Sequence, residues 1–148
     1  MDAIERLLAI EEIKTLKARY FRCMDLKDWS GLRAVFTDDL HADFREGTDP
    51  PNPQALIAGA DAYIAMLAPI LANITTVHHG HMPEIAFTSP KLATGIWAME
   101  DKLWVGPGAT VPYTFLHGYG HYHETYRHEA DGWRIASVRL TRLRIDIS

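Results

Sequence analysis

The chain changes chemistry once, near Thr75, and that change constrains its fold more than any single motif. Before it, apolar residues recur at helical spacing: Ile4, Leu7, Leu8, Ile13, Leu16, Tyr20 and Met24 form one stripe, and Glu5, Glu11, Glu12, Lys14 and Lys17 fill the other faces. A short second helix is expected from about Trp29 to Phe36, stopped by Thr37-Asp38-Asp39. A third is expected from about Gly59 to Leu71, interrupted late by Pro69, after a polar, proline-rich loop from Gly47 to Pro53. From Thr75 onward the segments are rich in β-branched and aromatic residues and are separated by turn chemistry at Ser89-Pro90, Gly106-Pro107-Gly108 and Asp131-Gly132. They read as four long strands, roughly Thr75 to Phe87, Leu92 to Trp104, Tyr113 to His128 and Trp133 to Ile145. Helices first and antiparallel strands afterwards is the α+β order, in which the helices cover one face of a curved sheet and enclose an apolar pocket. No repeat, low-complexity tract or linker divides the chain, so residues 1–148 read as one domain.

A pocket in addition to a core needs apolar material, and 148 residues at 47% hydrophobic content supply it. The net charge of -4 and the scatter of Lys and Arg leave no basic stripe to neutralise a run of phosphates, so nucleic acid is not an expected partner. No apolar run approaches the roughly 20 residues needed to span a bilayer; even Ala58 to Ala72 is broken by Asp61 and Pro69. The lone Cys23 can make no intramolecular disulfide, and the opening Met1-Asp2-Ala3-Ile4-Glu5-Arg6 is acidic where a signal peptide is basic, so a cytoplasmic location is expected.

Several stretches could carry chemistry. Asp25 follows Tyr20 by five positions, and five helical residues turn roughly 140° beyond a full turn, so the two share a site only if the helix ends near Asp25. The alternative makes Tyr20 a core residue with a satisfied hydroxyl, while Asp25 caps the next helix or faces water. In Val77-His78-His79-Gly80-His81, alternation sends His78 to one face and His79 and His81 to the other. Either class suits proton transfer near neutral pH, or all three are ordinary exposed or hydrogen-bonded histidines. Asp101 shares the parity of Trp97, Met99, Leu103 and Val105, so on a regular strand it points inward and needs a cationic or histidine partner. Tyr119, His121 and His123 share one face of the third strand; Tyr122, Glu124 and Tyr126 share the other. In the last strand, Arg139 or Arg142 could pair with Asp25 or Asp101.

Together these residues resemble the polyketide-cyclase-like (SnoaL-like) branch of the nuclear-transport-factor superfamily, and within it the bile acid 7α-dehydratases. The resemblance is carried by Ile13 through Asp25, by His78-His79-Gly80-His81-Met82-Pro83-Glu84-Ile85, and by Ala93-Thr94-Gly95-Ile96-Trp97 with Glu100-Asp101-Lys102-Leu103. Gly132-Trp133 and Arg142 complete it. It implies a cystatin-like cone and a catalytic centre at Tyr20, Asp25, His78, Asp101 and Arg142. Met24, His79, Trp97 and Tyr122 are expected to line the substrate pocket. The related scytalone dehydratases and hexachlorocyclohexane dehydrochlorinases eliminate water or HCl with a His-Asp pair and no cofactor, so no cofactor is expected.

The implied activity is a lyase, a dehydratase acting on a hydrophobic cyclic hydroxy-ketone or a steroid- or polyketide-like molecule. An isomerase or aldol-type cyclase would use the same base, and a non-catalytic small-molecule-binding domain would use the same pocket. The spacings His79-Gly80-His81 and His121-Tyr122-His123 each project two imidazoles from one strand face, but they lack a metal-family signature and no metal is expected. Aromatics on the sheet's convex face lead to an expected homodimer or homotrimer.

Overall fold

A computed structural model describes residues 1–148. Helix α1 (Ala3–Asp25) is followed by α2 (Trp29–Arg33), β1 (Phe36–Asp43), β2 (Leu56–Ala58), α3 (Ala60–Leu71), β3 (Ile74–Ser89), β4 (Leu92–Val105), β5 (Phe115–Glu129) and β6 (Gly132–Ile147). The six strands form one curved, open sheet in the order β2-β1-β6-β5-β4-β3. All neighbours are antiparallel except β1 and β6. Register shifts between Gly80 and Pro83, and twice along the β5–β6 pair, bend the long strands around the helices.

Helix α1 starts with a reciprocal cap: the Asp2 carboxylate accepts from the Glu5 N–H, and the Glu5 carboxylate accepts from the Asp2 N–H. Ile13, Leu16, Tyr20, Cys23 and Met24 are buried against the sheet, whereas Ile4, Leu7 and Leu8 are exposed. The expected stripe therefore holds only from the third turn, because the first turns run past the core beside the β3–β4 and β5–β6 turns, where the Arg6 guanidinium lies over Phe87. Lys17, grouped by charge with the solvent face, is fully buried.

Strands β1 and β2 were not expected. Thr37-Asp38-Asp39 looks like a helix stop, but α2 ends at Arg33, and Phe36, Leu40 and Ala42 enter the core along β1. Asp28, not Asp25, caps α2, accepting from the Gly31 N–H at 3.0 Å. Pro69 falls in the last turn of α3, where its missing N–H costs one intrahelical bond without ending the helix at that point. The four long strands lie within one or two residues of the expected bounds.

Candidate active site

Between α1, α3, the loop that follows β1, and the inner face of β3 to β6 lies a cavity of about 240 Å³. Wider clefts exist, one of about 440 Å³ beside the first turns of α1, but that one is an open surface groove among Glu5, Glu12 and Lys91. The 240 Å³ cavity is mostly apolar, and it is where polar groups converge.

Helix α1 ends at Asp25. Tyr20 faces the cavity, and Asp25 stands behind His78. The Asp25 carboxylate is held from three directions: His78 Nδ1 lies 2.7 Å from Oδ1, the Thr76 hydroxyl donates to Oδ1 at 2.9 Å, and the His78 backbone N–H donates to Oδ2 at 2.9 Å. Half-burial pushes the Asp25 carboxyl upward, but His78, through its ring, charge and backbone N–H, together with Thr76, outweighs that and holds it below the ordinary carboxylate range. An ionised Asp25 only accepts, so Nδ1 carries a hydrogen, and in the neutral imidazole the lone pair is then on Nε2. The Phe21 ring stacks beside His78 at 17° between planes.

Beside His78 on the same sheet, Asp101 and Arg142 form a bidentate pair, Nη1 to Oδ1 at 2.6 Å and Nη2 to Oδ2 at 3.1 Å, while Arg142 Nε donates to the Gly47 carbonyl at 3.1 Å. The sheet makes this pair possible. Asp101 sits opposite His78 on one side and Gly118 on the other, and Arg142 sits opposite Gly120. Strand β5 is bare at both glycines, so the guanidinium crosses over it; a Cβ at Gly118 would collide with Arg142 and Asp101. Arg139 instead points outward to Glu46 at 3.0 Å. Asp101 Oδ2 is 4.0 Å from His78 Nε2, beyond direct hydrogen-bond distance.

Of the four residues expected at the substrate pocket, Met24 and Tyr122 line this cavity, and His79 and Trp97 do not. His79 follows His78 on a strand and so faces out, its side chain 60% exposed, with Nδ1 3.9 Å from Glu100. His81 and His117 approach the same carboxylate on that outer face, at 4.0 and 3.9 Å. Trp97 has the parity of Asp101 but lies four residues along the strand, beneath α1, where its Nε1 donates to the Tyr126 hydroxyl at 2.8 Å.

Sequence reasoning passed over Thr76, Tyr63 and Tyr113, all of which line the cavity. Thr76 was within reach, since it stands two positions before His78 on the same strand face. It also missed the support behind the tyrosines: Lys17 pairs with Glu124, whose other oxygen accepts from the Tyr126 hydroxyl. The Lys17 ammonium lies 3.8 Å from the ring centroids of both Tyr20 and Tyr122. Burial pulls its pKa down and Glu124 pulls it up, leaving it below the usual lysine range. Burial likewise drives the Tyr20 and Tyr122 phenols well upward, so both stay protonated.

The SnoaL-like domain family matches residues 5–139. The chain belongs to that family. Solved structures share its architecture. One is a Novosphingobium aromaticivorans protein provisionally named a scytalone dehydratase, 20% identical with a TM-score of 0.84 over 99% of this chain and 92% of that one. A Kribbella flavida protein is 26% identical, with a TM-score of 0.82 over 95% of each chain. A type 2 hexachlorocyclohexane dehydrochlorinase (LinA) is 14% identical, with a TM-score of 0.82 over 99% and 93%. The architecture, helices over an open curved sheet, is the cystatin-like one of the nuclear-transport-factor-like proteins. No helix is long and apolar enough to cross a membrane.

Proposed function

We propose that this chain is a cofactor-independent lyase that removes water from a small, uncharged, cyclic hydroxy-carbonyl compound, with His78 as the base. The observation that carries this reading is the Asp25–His78 pair, in which Nδ1 is fixed on a carboxylate and Nε2 is left to accept a proton at the wall of an apolar cavity. Nε2 takes the proton next to the substrate carbonyl, and Asp25 stabilises the imidazolium that forms. The electrons left on carbon expel the β-hydroxyl, which takes the proton back from Nε2 and departs as water. Tyr20, neutral at any working pH, supplies the hydrogen bond to the carbonyl oxygen as it gains negative charge, a role worth roughly 3 to 4 kcal/mol of barrier. Asp101 and Arg142 orient the substrate as a fixed pair.

Cavity size and charge narrow the substrate. About 240 Å³ is the liquid volume of about eight waters at ~30 Å³ each. That is below the ~300–1,000 Å³ of pockets for drug-sized ligands, and it suits a compound of one or two rings. Arg142, the one cation lining the cavity, is already committed to Asp101, so a substrate carboxylate has no free partner. An isomerase uses the same base and returns the proton to carbon, and product mass separates the two outcomes.

The test is mass spectrometry of one- and two-ring β-hydroxy ketones incubated in deuterated buffer with wild type, His78→Ala and Asp25→Asn. Loss of water at a rate reduced at least ~100-fold in both variants is expected. Near-normal turnover by a folded His78→Ala protein would falsify the assignment. Solvent deuterium in a product of unchanged skeleton would move it to isomerase, and a ligand recovered unchanged would move it to a binding domain.

A further inference from the structure

The Asp25–His78 pair continues away from the cavity. Lys27 sits just beyond the end of α1 with φ of 59°, a left-handed conformation that an L-residue adopts at a cost. From there its Nζ donates to Thr76 Oγ1 at 3.0 Å, and Thr76 Oγ1 donates to Asp25 Oδ1 at 2.9 Å. The direction is forced. An ammonium has only donors and an ionised carboxylate only acceptors, so the hydroxyl between them accepts from Lys27 and gives its single proton to Asp25. The receiving oxygen is the same Oδ1 that faces His78 Nδ1 at 2.7 Å. Thr76 is buried, 3% exposed.

We propose that Lys27 and Thr76 are positioning residues that draw charge from Asp25 Oδ1 and so keep His78 unprotonated, with its Nε2 lone pair available to the cavity. The inference rests on the proton-abstraction reading above. A base must be free of its proton before it acts, yet an adjacent carboxylate favours the imidazolium. A second hydrogen bond to the shared oxygen weakens that pull. The Lys27 ammonium acts in the same direction, since it is no more than about 6 Å from Oδ1, within the range of strong charge coupling in a partly buried site. The other groups facing His78 do not supply the counterweight. Asp101 on β4 is neutralised by Arg142 on β6, Tyr20 on α1 and Tyr122 on β5 stay neutral, and the stacked Phe21 carries no charge.

The experiment needs no substrate: the ring nitrogens of His78 are titrated by NMR in wild type, Lys27→Met, Thr76→Val and Thr76→Ser. The His78 signal is assigned by its loss in His78→Gln, and folding is verified from backbone amide dispersion. The titration midpoint of His78 is expected to rise by at least about half a pH unit in both Lys27→Met and Thr76→Val, and to stay at the wild-type value in Thr76→Ser, which keeps the hydroxyl. A midpoint that is unmoved or falls in either folded variant overturns the relay, and so does a serine variant that behaves like valine. If one of the two variants fails to fold, the other decides. Because catalysis is not read, an inert protein with the expected shifts refutes the dehydratase while leaving the relay in place.

Discussion

Replacing Lys17 with methionine tests whether the buried cation beneath the cavity is a structural necessity. Lys17 and Glu124 both have fully buried side chains and are each other's only ionic partner. Methionine fills nearly the same volume, so the cavity term stays small and the change isolates the charge. It leaves Glu124 buried with the Tyr126 hydroxyl as its one remaining donor, and it removes the ammonium from between the Tyr20 and Tyr122 rings. Orphaning one member of a buried pair costs ~3–5 kcal/mol, against a total stability of ~5–15 kcal/mol for a domain. For a chain of this size that corresponds to a fall in Tm of roughly 6–20 °C. Urea denaturation followed by circular dichroism measures the loss, with the m-value checked for constancy. The double variant Lys17→Met/Glu124→Gln removes the unpaired charge and is expected to recover at least about half of it. A single-variant loss under about 1 kcal/mol, or a double variant no more stable than the single, refutes the reasoning.

Three further outcomes follow from the site. Gly118→Ala puts a methyl into the Asp101–Arg142 crossing and is expected to lower turnover at least ~10-fold without altering any polar group, whereas wild-type turnover would show that the pair is not used. Asp25 has a folded carboxyl below its ordinary range, so the stability it contributes is present above the unfolded value near ~3.9 and is lost as pH falls through the depressed folded value. Urea titrations should therefore show wild type more stable than Asp25→Asn at pH 7 and the gap closing below about pH 4; a constant gap contradicts the depressed carboxyl. Finally, calorimetry of a cyclic ketone and its carboxylated analogue should find the neutral compound bound at least ~10-fold tighter, since the acid would have to take Arg142 from Asp101; equal or tighter binding of the acid would show that Arg142 is free to exchange partners.

What was legible in the sequence followed from strand alternation. Parity alone separates His78 from His79, whose side chains are 8% and 60% exposed, and it turns Asp101 inward with Met99. Parity does not say how far along the strand the cavity extends, which is why Trp97 shares the face of Asp101 but ends under α1. Lys17 was hidden by its charge: its spacing from Ile13 and Tyr20 is that of the buried stripe, but a lysine reads as solvent-facing until a buried glutamate is known to stand opposite it. Strand β1 was hidden by its irregular burial, with Asp38 and Asp39 adjacent and both exposed, so no period-2 signal survives. The Asp25–His78 partnership spans 53 positions and has no local signature; it was expected only from the resemblance to a family. The left-handed turn at Lys27, on which the relay depends, is a property of how α1 ends and leaves no mark in composition.

The buried polar contacts also explain why so small a protein can hold an apolar cavity in a defined shape. Apolar packing of α1 on the sheet is strong but non-directional, and by itself it would tolerate rotation or sliding of the helix. Two polar ties remove that freedom: Lys17 to Glu124 joins the middle of α1 to β5, and Asp25 to Thr76 and His78 joins its end to β3. Tyr20 lies between them, so its hydroxyl is placed by two directional anchors on either side. The Asp101–Arg142 pair does the same within the sheet, joining β4 to β6 across the bare stretch of β5. A buried hydrogen-bonded ion pair adds little net stability compared with well-packed apolar residues. Its contribution here is orientation: the His78 imidazole, the Tyr20 phenol and the paired Asp101 carboxylate therefore face the same small volume.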